Sequence, residues 1–237
     1  TRWRTSTAAW ICASTSRRMP LARLSQQQVS RLKAAAFVLC LYPLARLIFL
    51  GTVGGLGANP IEFITRSTGR WTLTFLLITL AVTPLRRISG WQWLIRLRRM
   101  LGLYAFSYAV LHFITYIWLY QFFDLMAIAK DVLKRPFITV GFTCFLLLIP
   151  LAATSTDNMM KRLGGKHWQQ LHRFVYFIAI GGTVHFWWLV KKDITLPLIY
   201  GSTLAVLLGM RLAWSWRRNR TGAPALAVRQ AGRTSGG

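Results

Sequence analysis

Acidic residues are nearly absent from this 237-residue chain: five Asp and Glu stand against 30 Lys and Arg. Charged residues make up only 15% of it, whereas a soluble globular domain carries about 25%. That deficit excludes a soluble enzyme. It also disfavours a proton-coupled transporter, which needs acids inside its spans. Glu62, Asp124, Asp131, Asp157 and Asp193 all fall between the apolar runs. Cysteine is scarce as well. Cys12, Cys40 and Cys144 are far apart, and an odd count cannot pair fully within one chain. Ser, His and Asp form no recognisable hydrolase motif.

What is abundant is apolar surface. Hydrophobic residues make up 54% of the chain, with 11 Trp and 14 Phe. A net charge of +25 invites a nucleic-acid reading, but basic residues that punctuate long apolar blocks are not the surface stripe of such a binder. They suit an integral membrane protein. Six stretches can each cross a hydrocarbon core of about 30 Å, near 34–53, 72–88, 100–120, 137–154, 168–190 and 197–216. Backbone groups in lipid must be satisfied internally, so these are expected to be helices in an all-α bundle of six transmembrane spans.

The loops set the orientation. With the N-terminus inside, the segments 1–33, 86–99, 155–167 and 217–237 carry 20 Lys and Arg, and the opposite segments 54–71, 121–136 and 191–196 carry seven. Positive residues stay on the cytoplasmic side, which predicts N-in, C-in. Arg86-Arg87, the Arg96–Arg99 cluster and Arg217-Arg218 then read as orientation signals that also touch anionic lipids, not nucleic acid. Trp91, Trp93, Trp118, Trp187 and Trp188 lie near span ends, as an interfacial belt does. Residues 1–22 read as a disordered or artefactual extension, with Met19 a natural start, and 23–216 as the membrane domain. Residues 217–237 read as a basic tail, disordered from Thr221.

The intramembrane polar residues left to explain are histidines and a few arginines. His112 lies well inside the third span; His172 and His185 share the fifth, with His167 just before it. A lone intramembrane His is more often a helix–helix hydrogen-bond partner than a ligand. Three at matched depths, without transporter acids, point instead to metal centres. His172 and His185 are 13 residues apart, roughly 20 Å along a helix. His112 and His185 fall at one level in the outer half, where a b-type haem with two imidazole ligands fits. Thirteen steps of about 100° would point His172 and His185 apart on an ideal helix; a bend that Gly181-Gly182 allows, or helix tilt, would bring them round, and the two glycines would also let a flat macrocycle approach the backbone. Arg98 lies 14 residues before His112 on the same face. It cannot ligate iron, but it pairs well with haem propionates. The inner centre therefore has His172 and no second histidine from the third span. His167 reads as an interfacial loop residue, with a ligand role the lesser alternative. Arg46, after Pro43, either snorkels or meets a propionate.

At these residues the sequence resembles the MsrQ (YedZ) family, the haem-bearing membrane subunits of bacterial methionine sulfoxide reductase systems. The stretches that carry it are Gly54–Pro60, Thr83-Pro-Leu-Arg86, Ile95–Gly102, Thr154-Ser-Thr156, Leu163-Gly-Gly-Lys-His-Trp-Gln-Gln-Leu-His172 and Pro197–Tyr200. Together they cover roughly residues 22 to 216. More distantly it is similar to the ferric reductase and NADPH oxidase transmembrane domain. The resemblance implies a bacterial inner-membrane electron-transfer subunit, not itself catalytic. Electrons would come from the quinone pool or a cytoplasmic flavin reductase. They would pass through one or two b haems to the periplasmic molybdenum-cofactor subunit MsrP, which reduces methionine sulfoxide. It also implies FMN, for which no motif is visible. His112, His172 and His185 match the family's haem-linked positions, and Arg98 departs from the wider superfamily's histidine. A ferric or cupric reductase would share the haems but need an NAD(P)H–flavin domain, and 21 residues follow Trp216. A membrane anchor would need no haem.

Overall fold

The computed structural model describes residues 25–190 and 193–234, with side chains to 218 and at 220. The expectation for residues 1–22 lies outside the described residues. All regular structure among them is helical: α1 (Gln26–Thr52), α2 (Pro60–Ser89), α3 (Ile95–Thr115), α4 (Leu125–Lys134), α5 (Pro136–Ala153), α6 (Asp157–His172), α7 (Phe174–Leu189) and α8 (Thr195–Thr234). A 3₁₀ turn over Gln92–Leu94 leads into α3, and a π turn over Tyr116–Tyr120 extends it. Five segments are long and apolar enough to cross a membrane: Gln26–Thr52, Pro60–Ser89, Gln92–Tyr120, Pro136–Ala153 and Thr195–Arg218.

The fifth expected span, 168–190, differs in its start. A tightened turn at Arg173, whose N–H reaches Gln170 and Leu171 and whose carbonyl accepts from Tyr176, separates α6 from α7. His172 therefore ends one helix and His185 lies in the next. α7 has 16 residues, about 24 Å of helix. α7 runs on as α-helix through Gly181-Gly182, and the break in direction between the two histidines comes at Arg173. Those glycines serve packing instead. A Cβ on Gly181 would stand 2.5 Å from Cys144 Sγ on α5, and one on Gly182 would stand 3.6 Å from Leu73 on α2.

Two segments expected as loops contain helices. Residues 121–136 hold the amphipathic α4, entered through Phe122 and Phe123 at φ 46° and 63° and capped by Asp124, whose carboxylate accepts from Met126 and Ala127. Residues 155–167 form most of α6, capped by Thr156 and kinked at Gly164 (φ 73°). α8 carries helical backbone on to Thr234, past the boundary expected at 216.

α2 and α3 form one tight pair and α5 and α7 another. The pairs meet through α2–α7 and α3–α5, with α8 against α2 and α7 and α1 against α3. Leu80, Ala105 and Ala179 are fully buried at these crossings. Small residues suit them, because lipid gives no hydrophobic drive and association rests on close packing. The buried face of α3 runs Leu101, Ala105, Tyr108 and Ala109, and helical periodicity carries it on to His112.

Candidate metal centre

His112 on α3 and His185 on α7 face each other across the bundle, ring centroids 6.3 Å apart and planes at 76°. Each ring is held by the same device. His112 Nδ1 lies 3.0 Å from the Thr65 carbonyl on α2, and His185 Nδ1 lies 2.6 Å from the Phe137 carbonyl on α5. One turn further along each partner helix stands a glycine, because the ring occupies the space a side chain would need. A Cβ on Gly69 would come within 3.0 Å of His112 Cε1, and one on Gly141 within 2.8 Å of His185 Nδ1. With Nδ1–H donating to a carbonyl, the neutral form of each imidazole keeps its lone pair on Nε2, where it can ligate.

The spacing can be tested against a shared metal. Two metal–imidazole bonds of ~2.0 Å plus about 1.1 Å from each ring nitrogen to its centroid span about 6.2 Å. The observed separation matches. Among the described residues no three His, Cys, Asp or Glu come together as a ligand cluster. Two facing imidazoles therefore suit a metal that brings its own equatorial ligands, as haem iron does.

His172 stands apart, at the end of α6. Its Nδ1 lies 3.0 Å from the Trp168 carbonyl, its ring stacks on Trp168 at 3.9 Å, and its Nε2 is buried with no hydrogen-bond partner. Trp168 is itself anchored by Nε1 donating to the Thr154 carbonyl at 2.9 Å. The Leu151 carbonyl also acts on this ring, so Nε2 is either a weak donor to that carbonyl or a lone pair that a bound metal would satisfy. Arg98, half-buried on α3, is within electrostatic reach of His172, Arg86, Arg211 and Tyr176. The structure thus brings His112 to His185 and leaves Arg98 within electrostatic reach of His172 without a direct contact. His167 is exposed on α6, and Arg46 is exposed on α1.

The sequence reading missed Gly69 and Gly141. Each is a single glycine in a helical run, and that was the available signal: an isolated helical Gly costs about 1 kcal/mol against Ala and needs a packing reason. The carbonyls of Thr65 and Phe137 had no signal, since every residue carries one.

A family model described as the ferric reductase like transmembrane component matches residues 68–183, a range that contains His112 and His172 and ends two residues before His185. The protein-methionine-sulfoxide reductase heme-binding subunit MsrQ of Herminiimonas arsenicoxydans is 58% identical over 196 residues, 82% of this chain and 90% of that protein. The subunits of the same name from Azospira oryzae and Bordetella pertussis are 56% and 52% identical, over 81% and 84% of this chain and 83% and 98% of their own lengths. With its helical membrane architecture and its facing histidines, the chain belongs to the MsrQ family of heme-binding subunits of protein-methionine-sulfoxide reductase, which carry the ferric reductase-like transmembrane domain.

Proposed function

We propose that the chain is the transmembrane electron-transfer subunit of its reductase. On this reading it is a six-span inner-membrane protein with both termini in the cytoplasm. It takes electrons from the quinone pool or a cytoplasmic flavin reductase and delivers them to a periplasmic molybdenum-cofactor partner of the MsrP kind. Methionine sulfoxide is reduced on that partner. The observation that carries the reading is the His112–His185 pair, at a spacing that fits one bis-imidazole iron.

Haem b supplies a reversible one-electron couple when bound there. The rest is done by the chain. Thr65 and Phe137 fix the tautomer and orientation of the two imidazoles and raise their basicity. Gly69 and Gly141 let the rings seat against α2 and α5. His172 offers Nε2 for a second centre, and Arg98 is placed to pair with a propionate rather than to ligate. A second haem on His172 would need a ligand other than a histidine of α3. The relatives' names speak of heme and not of a flavin, and FMN is not part of this reading.

A dithionite-reduced minus oxidised spectrum of the purified protein, with haem extracted and counted per chain, tests it. A b-type spectrum is expected, lost or strongly altered in His112→Ala and His185→Ala. The His172→Ala variant then reads one haem or two. A folded protein supplied with haem and still colourless would overturn the reading, leaving the histidines as helix-packing residues.

A further inference from the structure

Arg211 on α8 lies deep enough to donate to the Tyr176 hydroxyl and the Leu80 carbonyl, each at 2.6 Å. Its Nε is nevertheless buried without a partner, and so are Arg86 Nε and Thr83 Oγ1. Thr83 and Arg211 line one cavity of about 160 Å³ between α2, α7 and α8, together with Arg87, Tyr176, Trp214 and Arg218. Arg87 holds its guanidinium 5.1 Å from the Trp214 ring centroid. Arg98 adds a further positive charge from α3, within electrostatic reach of Arg86 and Arg211.

Among the described residues no acid is set against Arg86, Arg87, Arg98 and Arg211. Glu62 pairs with Arg66, Asp131 with Arg135 and Asp157 with Arg99. Asp124 accepts from the first N–H groups of α4, and Asp193 accepts from Thr195 N–H. Those five are all the acidic side chains in the sequence. Guanidinium groups gathered in a partly apolar setting repel one another far more than in water. The cluster calls for an anion from outside.

We propose that this cavity binds the phosphate of an anionic phospholipid. At ~30 Å³ per water in the liquid, the cavity has room for about five waters, enough for a phosphate group. The choice of a lipid over free phosphate rests on the neighbouring surface. The adjoining face of α8, Leu212, Ala213, Ser215 and Trp216, shares Ser215 with the cavity. Leu212 and Trp216 present exposed apolar surface there, the surface an acyl chain covers. Both terminal nitrogens of Arg211 already donate within the protein, so its buried, unpartnered Nε–H is the donor left for a phosphate oxygen. A zwitterionic headgroup brings its own cation, which the cluster repels, so phosphatidylglycerol should be preferred to phosphatidylcholine.

The test uses the full chain, delipidated in detergent with its haem retained. Native mass spectrometry counts bound lipid on titration with phosphatidylglycerol or phosphatidylcholine, and thermal unfolding is followed in parallel with inorganic phosphate alone. One phosphatidylglycerol per chain is expected, bound about tenfold more weakly by Arg87→Gln and by Arg211→Gln but not by Arg46→Gln. Arg211→Lys should recover part of the loss. Unchanged haem spectra in the variants keep this result separate from the electron-transfer reading. Equal binding of the two lipids would overturn the proposal. So would stabilisation by inorganic phosphate equal to that by the lipid, which would make this a free-anion site. Loss of haem from the arginine variants would assign the arginines to a propionate instead, and would also overturn it.

Discussion

Three imidazoles, His112, His172 and His185, share one hydrogen bond: Nδ1 to a backbone carbonyl, with Nε2 left over. At the scale of single residues this is the arrangement the proposed ligand role requires, whereas a packing histidine would use both nitrogens between helices. The glycines beneath two of the rings give a sharp prediction. Gly69→Ala or Gly141→Ala puts a methyl within 3.0 Å of a ring, so the ring must shift or the helices part. Such overpacking costs about 1–3 kcal/mol. The protein should still fold, with an altered reduced-state spectrum and a changed haem midpoint potential, both read by redox titration in detergent. An unchanged spectrum and potential in both variants would show that the rings are not held by this seat. The histidines themselves were legible from type and depth alone. Their seats were not, because a carbonyl and a missing Cβ leave almost no trace in one sequence.

At the scale of helices, two prolines explain two otherwise odd polar contacts. Pro43 interrupts α1, and the Tyr108 hydroxyl on α3 enters the gap, accepting from Leu44 N–H at 3.1 Å and donating to the Cys40 carbonyl at 3.0 Å. Pro84 removes the N–H that Leu80 O would have received, and Arg211 supplies the donor from α8. In lipid no water can make these repairs, so the side chains must. Tyr108→Phe leaves a backbone donor and acceptor buried and unpaired. It should cost about 1–3 kcal/mol, measured by thermal or denaturant unfolding in detergent. A loss near zero would mean that α1 rearranges to close its own ladder. The long apolar helices were readable because their length and composition answer to one physical demand, the thickness of the hydrocarbon core. The amphipathic α4 and α6 were read as loops because that demand does not apply to them. Their N-caps, Asp124 and Thr156, were the signal passed over.

At the scale of the molecule, the tie between α6 and α3 is the Arg99–Asp157 ion pair at 2.6 Å. The guanidinium holds the Asp157 carboxyl below its ordinary value of 3.8. Because the folded value lies below the unfolded one, the contribution is complete above that ordinary value and is lost as the pH falls through the depressed one. The pair is exposed, so the effect should be small and weakened by salt. Melting curves between pH 3 and pH 6 should show wild type losing slightly more stability towards acid than Asp157→Asn, and an identical pH dependence would show the pair to be idle. The orientation makes a second prediction at this scale. A reporter that fluoresces only in the cytoplasm should be active when fused after Gly237, and a periplasm-dependent enzyme should be active when inserted at Ala58. The reverse pattern would invert the proposed direction of electron flow.

By itself the sequence determined that this is a helical membrane protein, which residues are the candidate ligands, and to which family the chain is similar. Those properties follow from composition, run length and residue type, which are sums over the chain and need no packing. Tertiary structure decided the rest. It placed His112 against His185 with ring centroids 6.3 Å apart, set the break between His172 and His185 at Arg173, and gathered Arg86, Arg87, Arg98 and Arg211 at one end of the bundle. Each of these depends on how one helix is rotated about its axis relative to its neighbours. That rotation is chosen by the close packing of small residues such as Ala105, Ala179 and Gly181 against neighbouring helices, contacts that no single stretch of sequence contains.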